Sequence, residues 1–426
     1  MKNKLFSILA LLILHGATAQ KKHVAFINAT AHLGNGQVIE NALLAINNST
    51  FEMVSDIKGI RLNPSAYDTV IDLMGAHVYP GLINTNNVLG LHDAEAVRAT
   101  VDFAEVGALN SHVRALIAYN TDNAIVPTIR CNGIAYTQVC PRGNLISGSS
   151  SVMSLIGWNW EDAVVKADDG IHVNFPRVPS RRYDDEKINK ELQKRYNSEL
   201  SALQKFMEDA AAYCKQSQIA ETNLRFESMR AVFSGKARLY LHVDKAKDIL
   251  NAISFAQTNA IALPVIVGGK DAWQVTEALR ANHVPVMLNR LIDLPDRSDD
   301  DVDIVYRTPA LLLKDSVLFC LQLEGDMEAM HSRNLPYNAG IAAAYGLTKE
   351  EALQAITLNA AKILGLDKDI GSLAEGKLAS FVICKGDLLD MKSSNIDAVY
   401  INGKKVVLDN KQTELYNRYK SKYGVK

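Results

Sequence analysis

From Ala237 onward the chain alternates short apolar runs with amphipathic stretches, and this restricts the fold more than any other feature. Arg238 to Val243 reads as a strand, followed by a helix with Ile249, Ile253 and Ala256 on one face. Leu263 to Val267 is a second strand, closed by the turn Gly268-Gly269 and followed by a helix through Trp273 and Leu279. Val284 to Leu288 and Val317 to Leu321 complete the series. Strand-helix units of this length require parallel strands joined by right-handed crossovers, the pattern of an α/β fold. In a closed barrel of such units the chemistry sits at the strand C-termini, where His242, Gly268, Asn289 and Asp326 fall.

A barrel of about 250 residues leaves room in a 426-residue chain for a small second unit. His23 to His77 supplies part of it. Val24 to Ala31, Val38 to Asn47, Glu52 to Val54 and Val70 to Leu73 read as strands separated by turns such as Gly34-Asn35-Gly36. Ala379 to Cys384 and Ala398 to Val407 alternate in the same way near the other end. Between them, Tyr183 to Phe233 is long, charged and helical. The stretch Gly143 to Ser151 reads as a flexible Gly/Ser loop leading to Trp158 and Trp160, which could wall a ligand or pack a lid. It lacks the Gly-x-Ser-x-Gly elbow and the Lys-Ser/Thr pair of a phosphate loop. A second helix signal is the capping box Thr348-Lys349-Glu350-Glu351, which opens a helix that Gly365 ends.

Lys2 and Lys4, the apolar run Leu5 to Leu14 and the small-residue site Ala17-Thr18-Ala19 have the form of a secretory signal peptide cleaved near Ala19. The expectation is an exported, periplasmic or secreted protein without a membrane span. Losing Lys2 and Lys4 takes the basic count from 46 to 44 against 47 acidic residues, a net of -3, which gives no reason to expect nucleic acid. Cys131, Cys140, Cys214, Cys320 and Cys384 form no Cys-x-x-Cys motif. An oxidising compartment would allow Cys131 to pair with Cys140, but five separate thiols are the simpler expectation.

Two stretches are similar to the amidohydrolase superfamily. The C-terminal run Ala-Leu-x-x-Ile-Thr-x-Asn-x-Ala-x-x-Leu-Gly from Ala352, followed by Gly-Ser-Leu-x-x-Gly-Lys-x-Ala from Gly371, resembles the signature of the imidazolonepropionase-like branch. Val78 to Gly90 resembles the family's entry strand, in which Pro-Gly and an apolar pair lead into Asp-x-His-x-His. The resemblance implies a (β/α)8 TIM-like barrel with a composite β-sandwich from both termini. It divides the chain into a signal peptide (1–19), a first sandwich part (20–77), the barrel (78–365), a second sandwich part (366–410) and a tail (411–426). It also implies Zn²⁺ or another divalent metal that activates water for hydrolysis of non-peptide, often cyclic, C–N amide bonds.

This sequence departs from the family at the ligands. Asn84, Asn86 and Val88 stand at the Asp-x-His-x-His positions, and Gly268 stands where strand six carries His. His242 matches the strand-five ligand, and Asp326 falls where the strand-eight aspartate is expected. That leaves His242 and Asp326 as an incomplete metal set, since catalytic zinc normally takes three protein ligands plus water. His331, Glu324 or His92 could add to it only by turning into the mouth. Three readings follow: a hydrolase with an altered metal site, a metal-free acid/base pair of Asp326 and His242, and a non-catalytic barrel. The last would bind a small molecule or peptide through Asn84, Asn86, Asn289, Trp158 and Trp160, alone, as a homo-oligomer or beside an intact paralogue. Asp299-Asp300-Asp301 with Asp303 could hold Ca²⁺ but reads more simply as a solvated run.

Overall fold

The computed structural model describes residues 23–94, 96–179 and 186–424. The segment read as a signal peptide lies outside the described residues. No helix among those described is long and apolar enough to cross a membrane.

The N-terminal region forms strands β1 (His23–His32), β2 (Val38–Asn47), β3 (Thr50–Asp56), β4 (Thr69–Asp72) and β5 (His77–Pro80). The chain then changes sheet at Gly81. An added Cβ there would lie 2.7 Å from that of Ala135, so only glycine lets the backbone pass this close. The stretch from Val78 to Gly90 is therefore not one strand. Its first part stays in the small sheet, and β6 (Leu82–Asn87) opens the barrel.

The barrel continues with β7 (Ile134–Val139), β8 (Ile146–Ser154), β9 (Val164–Asn174), β10 (Arg238–Val243), β11 (Pro264–Gly268), β12 (Val286–Leu288) and β13 (Phe319–Leu321). These strands pair in sequence order, and a parallel bridge between Thr85 and Gln322 joins the last edge to the first. Seven strands run parallel, and the strand-helix units from Arg238 onward lie as their periodicity requires. β8 is the exception, antiparallel to both neighbours.

That reversal corrects two expectations. The Gly/Ser-rich stretch is mostly a strand, buried along its whole length from Ile146 to Ser154. Its serines are satisfied inside the sheet: Ser150 Oγ donates to Asp169 at 2.6 Å and Ser149 Oγ to Asp168 at 3.0 Å. Because β8 runs backwards, the segment after it returns to the N-terminal end of the parallel strands, where the Leu155 amide donates to the Ala135 carbonyl. Trp158 and Trp160 therefore sit at the end of the barrel opposite the mouth. Trp158 is 92% exposed, and Trp160 packs on the core.

After the barrel the chain returns to the small sheet as β14 (Phe381–Cys384), β15 (Ile396–Ile401) and β16 (Lys404–Lys405). β14 pairs with β5, which joins both termini in one eight-stranded sheet. The sheet curls, because Phe51 of β3 and Phe381 of β14 approach to 5.8 Å between rings although three strands separate theirs. Phe381 also stacks on Tyr400 at 4.6 Å and meets Phe26 edge-on at 5.3 Å. The capping box at Thr348 forms, but the helix it opens breaks at Ile356 and resumes over Leu358–Leu364 before Gly365. The tail is a helix, Lys411–Tyr423. All five cysteines are free thiols. The acidic run from Asp299 is held by arginines: Asp300 pairs with Arg297, and Asp301 and Asp303 with Arg307.

Phe381 is fully buried at the centre of the terminal sheet, so Phe381→Ala should destabilise the protein by about 3–5 kcal/mol. Urea unfolding followed by circular dichroism measures this, and a change near zero would mean that the two termini do not share a core.

Candidate functional site

The mouth is organised by a largely buried cation. Arg142 follows β7 and reaches across the opening, where its Nε and Nη2 form a fork on the Glu328 carboxylate at 2.8–3.2 Å. Nη1 donates to Asn86 Oδ1 at 2.9 Å, and Nη2 donates to the Asn86 carbonyl at 3.0 Å. Burial alone would lower the pKa of Arg142, but Glu328 and Glu324 outweigh that and keep it charged. One of its five N–H groups has no partner among the described residues.

Asn86 is presented by a break in strand β6. Its φ of 49° is left-handed, which asparagine tolerates better than most residues, and the register with β7 slips between Asn84 and Asn87. Both ends of its side-chain amide are used, since Nδ2 donates to Glu324 Oε2 at 2.8 Å. Asn84 is fully buried and donates to Ser332 Oγ at 2.8 Å. Val88 belongs to the hydrophobic core.

Glu324, not Asp326, is the acid beside His242. Its Oε2 lies 3.8 Å from His242 Nδ1, whereas Asp326 is exposed two residues further along the rim. Burial would raise the Glu324 carboxyl, but Arg142, His242 and the Asn86 hydrogen bond hold it below the usual carboxylate range. His242 Nε2 is 2.9 Å from Nδ1 of His172, which β9 brings up from the strand-four position and which is fully buried. An N–H on His242 Nδ1 facing the Glu324 carboxylate is the favourable tautomer. His172 Nδ1 then donates to His242 Nε2, and His172 Nε2 is left as a buried acceptor without a partner in the structure.

The strand-six position is closed. Gly268 has φ 103°, and an added Cβ would stand 2.6 Å from Asp244 Oδ1 and 2.9 Å from the Val243 carbonyl. Asp244, one residue past β10, thus occupies the space a side chain there would need. Asn289 lies at the mouth as expected and donates to Asp244 at 3.2 Å, while Gln322 donates to Asn289. Burial pushes the Asp244 carboxyl up, opposed by Arg177. Beyond Asp244 the mouth opens into a cleft of about 1280 Å³ whose lining includes Asn144, Asn174, Arg177, Lys245 and Asp296. Among the described residues, no group of three or more His, Cys, Asp or Glu side chains is placed to hold a metal ion.

The Amidohydrolase family model matches residues 194–406, half of the sequence. The chain belongs to the amidohydrolase family. This amidohydrolase-family chain is similar to a solved amidohydrolase from Thermotoga maritima, with 26% identity and a TM-score of 0.78 over 90% of this chain and 99% of that one. It also resembles the imidazolonepropionases of Shewanella frigidimarina, 54% identical over 39 residues, and Erwinia tasmaniensis, 58% identical over 38. Those matches cover 9% of this chain and only 10% and 9% of the two enzymes.

The sequence brought His242, Asn86 and Asn289 to the mouth, and it named Glu324 only as a side chain that would have to turn inward. It missed Arg142, Glu328, His172 and Asp244. Of these, only His172 carried a usable signal, as the histidine two residues before the end of the strand preceding His242 in the barrel.

Two predictions follow from this geometry. Gly268→Ala should cost about 1–3 kcal/mol from the left-handed backbone alone, and Asp244→Ala in the same chain should recover part of the additional loss from the clash. Thermal unfolding of the single and double variants tests this, and additive losses would refute the contact. The second prediction concerns acid. Burial pushes His242 from its ordinary 6.5 down to about 4 and His172 down as well, so unfolding takes up protons below pH 6.5. Their contribution is complete above that value and falls with the pH, that of His242 being lost by about pH 4, an upper limit of about 3 kcal/mol. Urea midpoints across this range should fall less steeply in His242→Gln; parallel curves would contradict the assignment.

Proposed function

We propose that this chain is an exported member of the amidohydrolase family whose barrel mouth binds a small, amide-bearing molecule without the family's metal. One observation carries the reading: the Arg142 guanidinium is bound to both the side chain and the backbone of Asn86, a family ligand position. The residues present do not fit a divalent cation. Asn86 has both ends of its amide engaged, Val88 has no donor, and Gly268 is backed by Asp244. His242 Nε2 is bonded to His172, and a dication at Asn86 would meet the fixed positive charge of Arg142.

The same groups suit a cyclic amide, which offers adjacent N–H and C=O groups. Glu324 and Asp244, their side chains 32% and 28% exposed at the opening, accept N–H donors, and the spare Arg142 N–H can meet a carbonyl. The short imidazolonepropionase likeness favours a ligand of this ring class. A second reading, hydrolysis of the C–N bond without metal, is favoured by the contact of Glu324 with His242. A carboxylate held this low is a weak general base, which places binding first.

The test is calorimetric titration of the mature protein with hydantoin and with a five-membered lactam, with and without EDTA, alongside elemental analysis after incubation with Zn²⁺. Binding unchanged by EDTA and weakened about tenfold or more in Glu324→Gln is expected. Stoichiometric zinc, with turnover abolished by EDTA, would overturn the reading. Turnover that survives EDTA but not Glu324→Gln would select the second.

A further inference from the structure

A second cleft, of about 800 Å³, lies outside the barrel between the helix Leu335–Ala344, the rim after β12 and β13, and the loop that follows β14. Its volume suits a small organic molecule. Leu323, Ile341, Leu389 and Met391 give it apolar walls, and Arg290 stands at its edge.

Arg290 differs from the cleft's other charges. Lys349 and Asp387 neutralise one another at 2.7 Å, and Asp390 is occupied by Ser393 Oγ at 2.7 Å and the Lys392 amide at 3.1 Å. Arg290 has no hydrogen bond or ion pair among the described residues. Its guanidinium rests against the backbone of Gly325, where an added Cβ would come within 3.2 Å of Nη1, so the absence of a side chain at 325 makes its place.

The second observation is Asn338, which lines the cleft and is 1% exposed. Its Oδ1 accepts from the Leu291 amide at 3.0 Å, which fixes the orientation of the side-chain amide. Nδ2 is then a buried donor with no partner, and such a group is costly to leave unsatisfied.

We infer that this cleft is a binding site, separate from the mouth, for a small amphipathic carboxylate whose anionic head meets Arg290 and Asn338 and whose apolar body lies on Leu323, Ile341, Leu389 and Met391. A planar guanidinium fork matches a carboxylate in two-pronged geometry. An unpaired cation, an unfilled donor and apolar walls together select an anion with a hydrocarbon body over a polar sugar or a cation.

Octanoate and 3-phenylpropionate are the probes, titrated into the full mature protein by calorimetry, with octanamide as the uncharged control. One-to-one binding is expected, weakened about tenfold or more by Arg290→Met and by replacing the carboxylate with the amide. Asn338→Asp keeps the acceptor for Leu291 and sets a negative charge against the head group; it should weaken binding as strongly, and it decides the matter if Arg290→Met unfolds. Hydantoin binding at the mouth should be unchanged in Arg290→Met, so failure here and failure of the proposed function are told apart. No heat with either acid at millimolar concentration, or equal affinity in both variants, would overturn the inference.

Discussion

The barrel mouth depends on one largely buried cation. A charge taken out of water must be paired and hydrogen-bonded in full, or it destabilises the fold by several kcal/mol. Arg142 meets most of that condition: from the loop after β7 its guanidinium binds two parts of the chain far away in sequence, the bulge at Asn86 and Glu328 on the rim beyond β13, and one N–H is left over. The Asn86 bulge and the low carboxyl of Glu324 are tied to it, and it adds to the burial that keeps His242 neutral. Asn86 is held by the guanidinium and passes its remaining donor to Glu324, while the positive charge helps keep the imidazole unprotonated.

Much of the fold was legible because it rests on local patterns. The strands from Arg238 to Leu321 are buried on both faces, so their apolar runs and intervening helices could be read directly, as could the capping box at Thr348. β8 was not legible for the opposite reason. Its run of serines and glycine has the composition of a loop, and what makes it a strand lies about twenty residues away. Asp168 and Asp169 on β9 accept from Ser149 and Ser150, and the Asp168 amide donates to Ser151. No window centred on Ser150 contains those partners. Misreading this strand also put Trp158 and Trp160 at the wrong end, since one reversed strand inverts the end on which its following loop emerges.

The site was legible as a set of positions but not as a set of contacts. Asn86, Val88, His242 and Gly268 could be placed because a family pattern marks them, and differences from that pattern are visible in the letters alone. The contacts those positions make could not be read. Arg142 and Glu328 are 186 residues apart, and His172 and His242 are 70 apart. The difference between Asp326 and Glu324 is finer still. Gly325 at φ 128° and Met327 at φ 52° turn the rim so that the earlier acid faces inward and the later one faces water. Counting along the sequence cannot resolve a turn of that kind.

These positions form one coupled set, and that bears on which residues they tolerate. A histidine at 268 has no room while Asp244 stands behind it, and Asp244 is itself held by Asn289 and Arg177. A histidine at 86 would remove the side-chain oxygen that Arg142 Nη1 donates to and the amide that donates to Glu324, leaving both partly buried charges short of a hydrogen bond. Placing a histidine at either position therefore costs stability, because the groups that would have to move are satisfied by one another. The guanidinium, its two carboxylates and the paired imidazoles form one polar network, and few polar groups remain open at the mouth beside it: Glu324, Asp244 and one arginine N–H.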